Sequence, residues 1–223
     1  MKINDILLKN NVSAQNQTRE KLNLIENSNP AAMRVLFLGN SITLHGPNAS
    51  IGWNNNWGMA ASAPEKDYVH LVVKALQERY GDVAYTIANI GDFERHYWEA
   101  DVLNQFQSAN DFQADVVIFR FGENIDHESL SIYPLFDALQ TFMHRFSAGA
   151  KKVIVTDCFW EHEHIGNALQ RIAKENGYDF VSISDLGYQQ ENMALGLFEH
   201  QGVALHPGDL GMQRIAERIL EKL

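Results

Sequence analysis

Arg34-Val35-Leu36-Phe37-Leu38-Gly39-Asn40-Ser41-Ile42-Thr43 is the stretch on which the reading of this chain turns. Val35 to Leu38 form an apolar run without alternation, and such runs mark strands covered on both faces, as in parallel sheets packed between helices. The run stops at Gly39 and gives way to polar residues, and in an open α/β sheet the ground just past a strand's carboxyl end is where ligands bind. Four further segments of four to eight residues read as strands: Ala84 to Ile90, Asp115 to Phe121, Lys152 to Asp157 and Phe180 to Ile183.

Helical periodicity fills the intervals. Tyr68 to Tyr80 is preceded by Asp67 as N-cap and followed by Gly81 as a stop. Ile132, Leu135, Phe136, Leu139, Phe142, Met143 and Phe146 recur at three and four, as do Ile165, Ala168, Leu169, Ile172 and Ala173 before Gly177. Ile215, Ala216, Ile219 and Leu220 belong to a last helix that Asp209 is expected to cap, and all these faces are expected in the core. Strands alternating with helices pair in parallel through right-handed crossovers, which predicts a three-layer α/β/α sandwich around a five-stranded parallel sheet. Residues 1–30 read as a separate N-terminal arm, polar and weakly helical through Leu22, Leu24 and Ile25; residues 31–223 form the domain.

Composition narrows the function. With 223 residues, 45% of them hydrophobic, and 5 Pro against 15 Gly, one folded core suffices and collagen-like or disordered chains are excluded. The 28 acidic and 18 basic residues leave a net charge of -10, which repels a nucleic-acid backbone. No apolar run approaches the roughly 20 residues of a membrane helix, and no targeting segment is visible. Cys158 is the only cysteine, so neither an internal disulfide nor a thiolate zinc cluster exists, and Cys158 is expected to be a small buried hydrophobe. The expected location is the cytoplasm; oligomeric state is not legible.

The chemistry gathers past the strand ends: Gly39-Asn-Ser41-Ile-Thr, then Asn89-Ile-Gly91-Asp92, then Gly122-Glu-Asn124-Ile-Asp126, then Asp157-Cys-Phe-Trp160, with His206-Pro-Gly-Asp209 entering the last helix. Gly39-Asn-Ser41-Ile-Thr resembles the nucleophile block of the SGNH (GDSL-like) hydrolases. Gly91 resembles the family's oxyanion glycine, Gly122-Glu-Asn124 its Gly-x-Asn block and His206-Pro207 its C-terminal histidine, in order from residue 34 to 223. The resemblance implies a flavodoxin-like topology and a serine esterase. A serine needs a neighbouring base, and histidine titrates near neutrality. Ser41 is thus the expected nucleophile and His206 its base, with the N–H groups of Ser41 and Gly91 and the Asn124 amide as oxyanion donors.

One position departs from the family, which usually places an aspartate three residues before the histidine; here it is Val203. Three readings stay open: a Ser–His dyad held by a backbone carbonyl, an acid from elsewhere such as Glu123, Glu199 or Asp157, or a weakened or inactive enzyme. Asp126 reads as a cap or a pairing residue. Glu161-His-Glu-His164 reads as a solvated helix start rather than a metal site, since alternating residues do not share a helix face. Neither metal nor organic cofactor is expected.

Trp53, Trp57, Trp98 and Trp160 all fall in expected loops, and the stretch from Gly46 to Ala63 is long for an α/β connection. Such aromatics are expected to offer stacking planes to a carbohydrate, or else to close gaps between loop and sheet. The sequence therefore predicts hydrolysis of short acyl esters, acetyl foremost, on a carbohydrate. A general short-chain carboxylesterase or thioesterase, and a silent carbohydrate-binding domain, are the alternatives.

Overall fold

The computed structural model describes residues 22–25, 29 and 32–223. Its strands are β1 (Leu22–Ile25), β2 (Met33–Gly39), β3 (Val83–Asn89), β4 (Val116–Arg120), β5 (Lys152–Thr156) and β6 (Asp179–Val181). Its helices are α1 (Tyr68–Tyr80), α2 (Gly91–His96), α3 (Gln107–Asp111), α4 (His127–Ile132), α5 (Leu135–Ser147), α6 (Glu163–Asn176), α7 (Gln201–Ala204) and α8 (Asp209–Leu220).

The sheet runs β1-β3-β2-β4-β5-β6. The five expected strands are there and pair in parallel, with Leu36 opposite Thr86 on one side and Val117 on the other. Their own order is 2-1-3-4-5, so the chain winds outward from β2 in both directions and the switch point lies at the carboxyl end of β2. That is where Asn40 and Ser41 follow Gly39. A Cβ on Gly39 would lie 1.9 Å from Thr43 Oγ1 and 2.5 Å from the Arg120 carbonyl, so only glycine lets the chain turn sharply out of the strand.

β2 supplies both cores, because successive strand residues face opposite sides. Leu36 and Leu38 pack with Phe93, Phe106, Phe142 and Leu169 under α5 and α6, while Val35 and Phe37 pack with Tyr68, Val72, Met212 and Ile215 under α1 and α8.

Three local expectations need correction. Leu22–Ile25, read as weakly helical, is a strand antiparallel to β3, with Leu22 opposite Ala88 and Ile25 opposite Tyr85; residues 1–21, 26–28 and 30 of the expected arm lie outside the described residues. Ile132 ends the separate short helix α4 and is 60% exposed, because Pro134 restarts the chain before α5 and breaks the three-four register. Asp209 is the first residue of α8 rather than its cap: Gly208 holds the cap position, and the Asp209 carboxylate accepts from the Ser62 N–H and hydroxyl at 2.8 and 2.7 Å. Asp67 does cap α1, accepting from the His70 N–H at 2.8 Å, and Asp126 caps α4.

Candidate active site

Ser41 sits in the tight turn after β2, where the Thr43 and Leu44 N–H groups both donate to the Asn40 carbonyl. From the other end of the sequence, His206 arrives between α7 and α8, its backbone tied by the Ala194 N–H donating to its carbonyl. The Ser41 Oγ and His206 Nε2 lie 2.8 Å apart. The second ring nitrogen, Nδ1, lies 2.7 Å from the Gly202 carbonyl. A carbonyl only accepts, so Nδ1 carries the proton and Nε2 presents its lone pair to Ser41. Burial pulls the His206 imidazole down to about 4; the Gly202 carbonyl and Glu123 raise it and Arg120 lowers it further, so the ring is neutral at pH 7.

Of the three readings for the missing aspartate, the first matches the geometry. Val203 is 1% exposed in an apolar cluster with Trp53, Met59, Ala60 and Ala194, so its side chain is spent on packing. None of the candidate acids bonds to His206. Glu123 pairs with Arg120, and accepts from Asn40 Nδ2 at 2.6 Å and the Phe159 N–H at 2.8 Å. Asp157 accepts from Ser182 Oγ and the Ile183 and Ser184 N–H groups, and Glu199 is exposed.

The Gly91 and Asn124 blocks meet each other, and Glu94 links Asn124 to Asn40, the neighbour of Ser41. A Cβ on Gly91 would lie 3.6 Å from Asn124 Nδ2, so the two blocks do converge. The Gly91 N–H, however, donates to Asn89 Oδ1 at 2.9 Å, while Asn89 Nδ2 donates to the Leu44 carbonyl at 2.6 Å. Because the Asn89 side chain occupies Gly91, the expected donors without such a partner among the described residues are the Ser41 N–H and one N–H of the Asn124 amide.

Beneath the donors lies a buried polar network that sequence reading missed. Glu94 is fully buried, its Oε1 accepting from the Gly122 N–H at 2.5 Å and from Asn40 Nδ2 at 3.0 Å, its Oε2 from Asn124 Nδ2 at 2.5 Å. Burial, and the nearby Glu123, raise the Glu94 carboxyl above its ordinary range. Arg120, also fully buried, pairs with Glu123 and donates to Asn40 Oδ1 at 3.1 Å. Arg95 donates through Nη1 to the Gly91 carbonyl at 2.8 Å and through Nη2 to Asn124 Oδ1 at 3.3 Å. The one sequence signal was placement: charged residues within a turn of Gly91, at the carboxyl end of a wholly buried strand.

The tryptophans part company. Trp53, expected on the binding rim, is fully buried, donates Nε1–H to the His45 carbonyl at 2.9 Å and packs against Trp57 and Phe198; it holds the long loop shut and offers no face to a ligand. Trp57 is half-buried and donates to the Ala61 carbonyl at 2.9 Å. Trp98 is half-buried and stacked on Tyr133 at 4.3 Å. Trp160 alone touches a site residue, edge-on to the His206 ring at 5.2 Å. Elsewhere, Cys158 is buried and His162 caps α6. Among the described residues, no three His, Cys, Asp or Glu side chains are grouped to hold a metal ion. A surface cavity of about 170 Å³ lies apart from Ser41 and His206, between α6 and β6, bordered by Asp157, Glu161, His162, Asn167 and Ser182.

No protein-family model and no curated protein matches the chain. Solved structures do. An acetyl xylan esterase from Geobacillus stearothermophilus superposes with a TM-score of 0.52 at 20% identity, covering 85% of this chain and 94% of its own. A two-domain esterase active on acetylated mannans gives 0.53 at 19% identity, over 85% of this chain and 49% of its own. TesA gives 0.53 at 18% identity, over 86% of this chain and 98% of its own. These likenesses establish the three-layer fold the sequence resemblance implied. Catalytic variants of the xylan esterase alter a histidine and an aspartate three positions before it, whereas this chain has Val203 three before His206.

Proposed function

We propose that this protein is a serine esterase that removes short acyl groups, acetyl foremost, from a carbohydrate. The observation that carries the reading is the Ser41 Oγ to His206 Nε2 contact of 2.8 Å at the switch point of the sheet, with the imidazole tautomer set by the Gly202 carbonyl. In this reading Ser41 attacks the ester carbonyl while His206 takes its proton, general-base help of the kind that contributes about 10²–10⁴-fold. The carbonyl oxygen, now anionic, draws on the Ser41 N–H and the Asn124 amide, and Gly91 joins when Asn89 releases it. His206 returns the proton to the leaving alcohol, and a water repeats the sequence on the acyl-enzyme. Glu123 offsets part of the opposing charge of its partner Arg120 on the His206 imidazolium.

The carbohydrate part rests on Trp160 beside His206 and on the named activities of the xylan and mannan esterases, which share the fold. The burial of Trp53 and the stacking of Trp98 on Tyr133 favour a second reading, a short-chain carboxylesterase without sugar preference. Hydrolysis of p-nitrophenyl acetate by wild type and by Ser41→Ala tests the nucleophile: wild type turns over and the variant falls to background. Equal rates would overturn the esterase reading. Release of acetate from acetylated xylo- and manno-oligosaccharides, at kcat/KM above that for p-nitrophenyl acetate, then separates the carbohydrate reading from the second.

A further inference from the structure

Asn124 is the one side chain among the expected oxyanion donors, and a carboxamide serves there only if its NH2 edge, not its oxygen, faces the substrate. Its two ends meet opposite partners. Nδ2 lies 2.5 Å from Glu94 Oε2, and Oδ1 lies 3.3 Å from Arg95 Nη2. A guanidinium only donates and an ionised carboxylate only accepts, so one of the two amide orientations satisfies both contacts and the flipped one satisfies neither. The partners of the Glu94 carboxyl are donors, Asn40, Gly122 and Asn124, so both its oxygens accept in this arrangement. Arg95 spans the hole, its other arm donating to the Gly91 carbonyl at 2.8 Å.

Resting on the esterase reading above, we propose that Glu94 and Arg95 are positioning residues that clamp the Asn124 carboxamide with its free N–H turned into the oxyanion hole. Neither touches the reacting atoms. Their contribution is preorganisation: a donor already aimed where charge develops need not be reoriented at the moment of reaction.

Glu94→Gln is the decisive variant. It keeps shape and burial but puts a donor where a carboxylate oxygen was. With its amide one way round, Gln Nε2 faces Asn124 Nδ2; the other way, it faces the Gly122 N–H and Asn40 Nδ2. Relief of the first clash flips Asn124 and turns its oxygen toward the oxyanion. Expected for Glu94→Gln are a kcat reduced about 10- to 100-fold with KM unchanged, and slower labelling of Ser41 by a p-nitrophenyl alkylphosphonate by the same factor, somewhat less than the 10²–10³ lost when a donor is removed outright. Arg95→Met loses kcat in the same sense, and Arg95→Lys, which keeps one donor, recovers part of it. The Asn124 side-chain amide resonance, assigned as the signal missing in Asn124→Asp, shifts in Glu94→Gln, a readout that needs no turnover. A kcat unchanged in Glu94→Gln, or a loss that tracks KM and melting temperature together and is not eased in Arg95→Lys, overturns the proposal. A wild type that shows no Ser41-dependent hydrolysis instead overturns the esterase reading beneath it, and is recognised because the unmutated protein is already silent.

Discussion

Position 203 is valine in this chain, three residues before His206, and the consequence is local. An aspartate there would have to share the apolar pocket of Trp53, Met59 and Ala194, where an unpaired carboxylate is costly. Val203→Asp is therefore expected to lower stability by about 2–4 kcal/mol in urea unfolding without raising kcat. The sequence announced that the aspartate was absent but not what replaces it, because the substitute is the carbonyl of Gly202, which every residue carries and no residue type encodes. Glu94 and Arg95 stayed unread for a related reason: in a linear reading they are two charged residues of a short helix, and only the fold brings β4 and its Gly122-Glu-Asn124 loop beside them. Ser41 and Asn124 stood out because each follows the end of an expected strand, and His206 because it enters the last helix.

Elements differ in how much of themselves they declare. β2 to β6 were readable as short, near-continuous apolar runs, whereas β1 is four residues in a polar setting and takes its strand form from the edge of β3. In the loop from Gly46 to Ala63, the second of the two expectations for its aromatics fits Trp53: it closes a gap as a core residue of a satellite cluster, and the Met59 N–H donates to the Ser41 carbonyl at 2.8 Å. The loop thus braces the Ser41 turn from outside the sheet. Trp53→Ala is expected to cost about 3–5 kcal/mol and to lower kcat more than it raises KM, because the brace loosens while the binding surface it was expected to form does not exist. Urea denaturation and steady-state kinetics on the same preparation separate the two effects.

For the whole molecule, pH couples the site to folding. The His206 imidazole takes a proton near 6.5 when unfolded and only near 4 when buried, so between those values proton uptake favours the unfolded chain. Stability falls as pH is lowered through that window, by roughly 3 kcal/mol from this group, and His162, also pulled down by burial, adds in the same direction. Glu94, whose carboxyl is raised, works against the trend. The urea midpoint is expected to drop between pH 7.5 and 5, and to drop less in His206→Gln.

The central strand and the final helix stand at opposite ends of the described sequence, and Ser41 meets His206 across 165 positions. On a ribosome adding about 5–20 residues per second, the half of the site built on β2 waits on the order of ten seconds for its partner to be synthesised. The nascent chain can fold most of its sheet in that interval, and Ser41 and His206 come together only after residue 206 has been made.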